Sequence, residues 1–165
     1  MIQHIKLFLV CLLVSVNVSC TGQSGNKTNP YYSHTETKKL NLTDDEWRKI
    51  LPSDVYYIAR EEGTERAYTG QYWDNHDQGL YFCRPCGNLL FKSETKFESG
   101  TGWPSFYQAA SSSSVALTQD DDGYRTAVSC ARCNAHLGHV FNDGPKPTGK
   151  RFCMNGNVLD FVAQK

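Results

Sequence analysis

Leu80-Tyr81-Phe82-Cys83-Arg84-Pro85-Cys86-Gly87-Asn88-Leu89-Leu90-Phe91-Lys92 decides the architecture: two short apolar and aromatic runs flank a C-x-x-C unit. Runs this short, bounded by Pro, Gly and Asn, read as β-strands joined by a tight turn and not as helices. The unit recurs as Cys130-Ala131-Arg132-Cys133-Asn134, again at the end of a strand-like run, residues 124–130. A C-x-x-C turn aims two thiolates at one point, and two such turns complete a tetrahedral four-sulfur shell suited to zinc. Disulfides are the competing reading for an exported chain, but two copies flanked by turn residues at strand ends fit metal knuckles better. Cys83, Cys86, Cys130 and Cys133 are therefore the expected zinc ligands. A closed shell leaves no open coordination position, so the metal is expected to support the fold and not the chemistry.

Outward from the knuckles the pattern persists. Residues 150–154 and 158–162 form further apolar runs separated by Gly, Asn and Asp, which argues for an antiparallel β domain with little helix. Asp120-Asp121-Asp122-Gly123 reads as a hairpin loop and Ser111 to Ser114 as a second loop; the spacing of an EF-hand is missing. Upstream, Leu42-Thr43-Asp44-Asp45-Glu46-Trp47-Arg48-Lys49-Ile50 carries a capping box, with Thr43 as N-cap and Glu46 three residues on, and predicts one short helix ending before Pro52. The expected fold is mainly β: two antiparallel sheets with a short N-terminal helix, stabilised by zinc.

The chain of 165 residues is 39% hydrophobic and 21% charged, which fits one globular domain with a tail and excludes a disordered or fibrous protein. Its 17 basic and 17 acidic side chains cancel, without any long Lys/Arg block, so a nucleic-acid partner is not expected. At the N-terminus, Lys6 precedes a largely apolar run, Leu7-Phe8-Leu9-Val10-Cys11-Leu12-Leu13-Val14-Ser15-Val16-Asn17-Val18-Ser19, shorter than a membrane span and suited to a signal peptide. The run ends at Cys20 and resembles a bacterial lipoprotein signal, with Asn17 at a usually aliphatic position. The organisation expected is a signal segment at 1–19, a flexible polar tether at 20–39 and one domain at 40–165. Such a chain is exported to the periplasm, with a membrane contact only through a lipid on Cys20.

Once the knuckles are assigned, Cys153 in Arg151-Phe152-Cys153-Met154-Asn155 is left over. An unpaired cysteine in an exported protein is either a reactive thiol or a buried core thiol on a strand. Arg151 and Lys150 favour a thiolate only if they share its face. His136-Leu137-Gly138-His139, just beyond the second knuckle, offers the imidazoles that thiol chemistry at neutral pH requires, although such a pair also fits a core or an extra metal ligand.

Taken in order, both knuckles, Gly100-Thr101-Gly102-Trp103-Pro104-Ser105-Phe106, His136 to Phe141, Asp143-Gly144-Pro145 and Arg151 to Asn155 resemble the type-B methionine sulfoxide reductases, which repair the R epimer. The resemblance spans about residues 40–163. It implies two antiparallel sheets and a zinc remote from the active site. It implies Cys153 as nucleophile, His139, His136 and Asn155 as polar groups around the sulfoxide oxygen, and Trp103 as the wall for the substrate methyl. Phe106, Asp143 and Arg151 would complete the substrate site. The chemistry agrees: a sulfoxide sulfur becomes electrophilic when its oxygen is protonated, so a thiolate needs an acid facing it. The product at Cys153 is a sulfenic acid that another thiol must reduce.

Two departures stand out. Many members carry a resolving cysteine where this chain has Thr101, so a thioredoxin-like external thiol is the expected reductant. Gly156 stands where a Ser commonly follows the Cys-x-Asn segment. The competing classes are a zinc-ribbon-like binding module, in which Cys153 is incidental, and a zinc hydrolase, in which His136 or His139 replaces a thiolate.

Overall fold

Thr43 opens the first helix as its sequence dictates. The Thr43 hydroxyl accepts the Glu46 N–H, the Glu46 carboxylate accepts the Thr43 N–H at 2.7 Å, and α1 runs Asp44–Ile50. A capping residue of this kind contributes about 1 kcal/mol. Pro52 ends α1 and immediately starts α2, Ser53–Glu61, which the sequence pattern did not reveal. The fixed φ of proline suits both the residue after one helix and the entry to the next. Val55, Tyr56, Ile58 and Ala59 bury one face of α2, beside the buried Trp47 of α1. The N-terminal part is therefore a helix pair and not a single helix.

The computed structural model describes residues 29–120 and 122–164; the expected signal segment, Cys20 and the first part of the tether lie outside the described residues. Nine strands follow the helices: β1 Gly79–Cys83, β2 Leu89–Lys92, β3 Lys96–Phe97, β4 Ser105–Phe106, β5 Val115–Gln119, β6 Thr126–Cys130, β7 His136–Phe141, β8 Arg151–Met154 and β9 Leu159–Ala163. They form two antiparallel sheets, a three-stranded β2-β1-β9 and a six-stranded β3-β4-β8-β7-β6-β5. The expected fold class holds. The 111–114 loop and the hairpin loop between β5 and β6 lie where the sequence places them.

Between the sheets and helices lies one core. Phe91 stacks on Phe106 at 4.4 Å, Tyr81 meets Phe106 edge-on at 5.0 Å, and Leu90, Leu137, Met154 and Leu159 are fully buried around them. Each such side chain contributes about 1.5–3 kcal/mol by leaving water.

Residues 29–39, assigned from sequence to a flexible tether, pack against the domain instead. Tyr31 meets Trp47 edge-on at 6.1 Å, His34 stacks on Phe82 at 3.8 Å, and the Tyr32 hydroxyl donates to Asp160. The reason is Arg132, a buried side chain whose guanidinium donates to the carbonyls of Tyr31, Ser33, Lys38 and Cys86. One arginine thereby satisfies backbone groups of a segment whose polar composition reads as solvated.

Candidate active site and metal centre

Cys83 ends β1 of the small sheet and Cys130 ends β6 of the large one, so the two knuckles meet between the sheets. Each turn closes alike: Gly87 and Asn134, the residues after the second cysteines, have φ of 79° and 56° and donate their N–H groups to the first cysteine's carbonyl. Glycine and asparagine tolerate this left-handed conformation best. The four sulfurs lie within 4.8 Å of one another, with Cys83–Cys133 and Cys86–Cys130 each at 3.6 Å. A disulfide needs about 2.05 Å, whereas a tetrahedral ion with bonds of about 2.3 Å to sulfur needs edges of about 3.8 Å. All four cysteines are buried and free. Burial and neighbouring sulfurs push the Cys83 thiol well up, so gathering several thiolates here demands a cation. The group can hold a metal ion. Arg60 ties the centre to the helices, donating to the carbonyls of Cys133 and Asn134 and pairing with Asp44 at 2.8 Å.

Cys153 is a different kind of cysteine. It lies mid-sheet on β8, directly paired with His139 of β7 on one side and Ser105 of β4 on the other. Its neighbours Phe152 and Met154 point into the core, so Cys153 and Arg151 share the outer, half-buried face. Arg151 is thus on the side where its charge can act on the thiol: it stacks on Phe141 at 4.3 Å and holds the exposed Asp143 through two bonds of 2.9 and 2.8 Å. The Arg151 guanidinium keeps the Asp143 carboxyl below its usual range.

β7 contains a bulge. Val128 faces Gly138 but Ser129 faces His136, leaving Leu137 as the extra residue. Without it, positions 136 and 139 would point to opposite faces; with it, both imidazoles lie on one face, 5.3 Å apart. Gly138 makes the bulge possible, with φ of 155° and the Cys153 carbonyl where a Cβ would stand.

A cavity of about 150 Å³ opens beside Cys153, lined by Trp103, Arg125, Gly138, His139, Phe141 and Asn155 among others. Trp103 is held by its indole N–H on the Glu65 carbonyl at 3.2 Å. Asn155 donates to the Leu137 carbonyl at 3.1 Å and accepts the Glu65 N–H at 3.0 Å. His139 Nε2 lies 2.8 Å from Asp120. Thr101 places its hydroxyl 3.8 Å from the Cys153 sulfur, at the end of a chain through Ser99 to the buried Ser105, each step 2.8 Å.

Four expected site residues do not line this cavity: Asp143 and Arg151 form an ion pair beside it, Arg151 stacking on the lining residue Phe141, and the other two fall elsewhere. Phe106 pairs with Phe152 on the core face and is fully buried, so it supports the sheet and cannot touch a ligand. His136 does not line the cavity; it is buried under the end of α2, its Nε2 has no hydrogen-bond partner, and burial together with His139 brings its pKa down to about 4. Glu65, which no sequence motif singles out, accepts with its carboxylate the N–H groups of Gly156 at 2.6 Å and Asn157 at 2.9 Å. Its three links to Trp103, Asn155 and the segment after β8 make it the strut behind the cavity. Gly156 is explained by the same packing, since a Cβ there would overlap the Gln71 carbonyl. A larger hollow of about 440 Å³, lined by Val115, Leu117 and Phe152 among others, has neither cysteine nor histidine in its lining.

A half-buried thiol facing an imidazole, with a guanidinium beside it and an indole wall, defines a thiol-dependent enzyme for a small substrate, built on a β fold with a separate four-cysteine centre. The SelR domain family matches residues 51–163. The chain is 48% identical over 130 residues to peptide methionine sulfoxide reductase MsrB of Methanosarcina barkeri, covering 78% of this chain and 92% of that protein. It is 54% identical over 121 residues to the MsrB of Thiobacillus denitrificans, covering 72% and 92%, and 45% identical over 156 residues to the chloroplastic reductase B1 of Arabidopsis thaliana, covering 91% and 76%. The chain belongs to this family, the type-B methionine sulfoxide reductases.

Proposed function

We propose that the protein reduces methionine R-sulfoxide in peptides and proteins to methionine, with Cys153 as the nucleophile. Reduction of methionine sulfoxide is the activity of its family. The observation that carries the residue assignment is the direct pairing of Cys153 with His139 across β7 and β8, on one cavity with Trp103 and Arg151 alongside.

The Cys153 thiolate, with the Arg151 guanidinium on the same face, attacks the sulfoxide sulfur while His139 as imidazolium protonates the oxygen. The sulfur–oxygen bond of the substrate breaks and the oxygen passes to Cys153. Methionine leaves, its sulfur reduced by two electrons, and Cys153 is oxidised to the sulfenic acid. Trp103 offers a rigid apolar face for the substrate methyl, and Asn155 a polar group at the far end. His136 serves as a neutral buttress behind His139, since a group with pKa near 4 carries no proton to deliver at neutral pH. Two external thiols, those of a thioredoxin-like partner, then return Cys153 to the thiol with release of water and a disulfide. Thr101 in place of a second cysteine supports this direct route.

The four-cysteine centre is read as structural zinc, for which the sulfur-only donor set and the buried, closed geometry speak. Export with acylation of Cys20 is proposed from the N-terminal sequence alone. Turnover of the separated epimers of a methionine sulfoxide peptide, with dithiothreitol as reductant, tests the reading. The R epimer alone should be reduced; reduction of neither epimer by folded, metal-loaded protein would remove the reductase and leave the binding module.

A further inference from the structure

The hairpin between β5 and β6, a plain loop in sequence, carries two charged side chains to the cavity. The last pair of the ladder is Gln119 with Thr126, and the chain closes beyond it through the Asp120 N–H on the Arg125 carbonyl at 2.9 Å. Thr118, Ala127, His139 and Cys153 form one row of cross-strand partners. Asp120 lies two residues beyond Thr118 and Arg125 two before Ala127, so alternation puts both on the face of His139 and Cys153. The Asp120 carboxylate meets His139 Nε2 at 2.8 Å and the Arg125 guanidinium at 2.9 Å. Both partners of the His139 contact are largely shielded, with 13% and 15% of their side chains exposed. Asp122 secures the tip by accepting the N–H groups of Tyr124 and Arg125, both at 2.8 Å.

We infer that Asp120 is a positioning residue for the reduction, holding His139 by Nε2 so that Nδ1 is turned to the substrate oxygen, and offsetting the positive charge of the ring when it acts as acid. Resting on the reading of His139 as the proton donor, the inference gives the hairpin a part in the chemistry. Among the described residues, the charged and titratable groups facing His139 are Asp120 from the hairpin, with Arg125 paired to it, His136 on its own strand, and Cys153 from β8, whose face Arg151 shares. Among them Asp120 is the carboxylate in contact with the ring. Arg125 lines the cavity and also grips Asp120, so the guanidinium that pairs with the hairpin carboxylate also faces the cavity.

The test is steady-state reduction of the R epimer by the wild-type protein, Asp120→Ala, Asp120→Asn and Asp120→Glu, joined to nitrogen-15 NMR of the His139 ring. Asp120→Ala should lower kcat by about 10- to 100-fold, a part of what a general acid supplies, with KM changed less than about twofold. Asp120→Asn, which keeps a hydrogen-bond acceptor without charge, should fall between, and Asp120→Glu should recover part of the rate. In neutral His139 the proton should sit on Nε2 in the wild type, and Asp120→Ala should mix the tautomers. An active wild type with unchanged kcat in Asp120→Ala, or a loss confined to KM, overturns the inference and spares the reductase reading. A wild type inactive on both epimers overturns that reading and this inference with it.

Discussion

Five cysteines of the described domain divide into two regions that differ in nearly everything except the side chain. Cys83, Cys86, Cys130 and Cys133 sit at strand ends and in the turns that follow them, fully enclosed, with one another and the Asn88 amide as polar partners. Cys153 sits mid-strand, half-exposed, with an imidazole opposite and a guanidinium beside it. At the strand ends, left-handed turns gather sulfurs to one point and exclude water, which suits a cation and suppresses reactivity. In mid-sheet, alternation keeps one sulfur apart and surrounds it with side chains from three strands. The same side chain is thus enclosed among sulfurs or set opposite an imidazole by its position in the ladder.

The largest break in that comparison is Cys153→Ser. It should lower turnover of the R epimer by at least about 1,000-fold, as loss of a nucleophile does, while metal content and thermal midpoint stay at wild-type values. Loss of metal together with activity would mean that the two regions are not independent. The converse is Cys130→Ser, or removal of the metal by a chelator. Either should destabilise the fold by several kcal/mol, since binding free energy at a closed site is folding free energy, and calorimetry should record a lowered midpoint even though the Cys153 cavity is untouched.

His136 sharpens the comparison through pH. Its pKa in the folded protein, about 4, lies below the ordinary 6.5. The unfolded chain therefore binds the extra proton between those values, and stability falls as pH drops through that window. The cost should reach roughly 2–3 kcal/mol near pH 4, because each tenfold rise in proton concentration across the window favours the unfolded chain by about 1.4 kcal/mol. Denaturant titrations of His136→Gln against wild type at pH 7 and pH 4.5 should show a smaller acid loss in the variant; equal losses would assign acid sensitivity to the metal centre. The smallest effect expected is that of Arg151→Gln, a several-fold slower alkylation of Cys153 by iodoacetamide at neutral pH, with the knuckle cysteines unreactive in both proteins.

Legibility differed between the regions for a physical reason. C-x-x-C spacing is local, and its geometry follows from a turn of four residues, so the metal centre was readable before any fold. The capping box of α1 and the runs that became β1, β2, β6, β8 and β9 are local in the same sense. The β7 bulge is not: His-Leu-Gly-His-Val-Phe carries no clean alternation, and only pairing with β6 shows that two histidines three apart share a face. Phe106 failed for a related reason. Ser105 and Phe106 are neighbours in sequence, but β4 pairs them with Cys153 and Phe152, one on the reactive face and one in the core.

Sequence alone pointed to a β-rich class, the two cysteine knuckles, Cys153 as the cysteine left over and, through the ordered motifs, the family. Each depends on residues close along the chain or on a pattern preserved as a whole. The tertiary structure decided what faces what: Arg151 beside Cys153, Asp120 behind His139, Glu65 under Trp103 and Asn155, His136 shut away, and residues 29–39 bound by Arg132. Apart from Arg151, which shares a face with Cys153 by alternation two residues along β8, these are contacts between segments from 19 to 101 residues apart, or choices of sheet face that a single bulge reverses. Their free energy comes from burial and pairing across strands, which local composition does not encode.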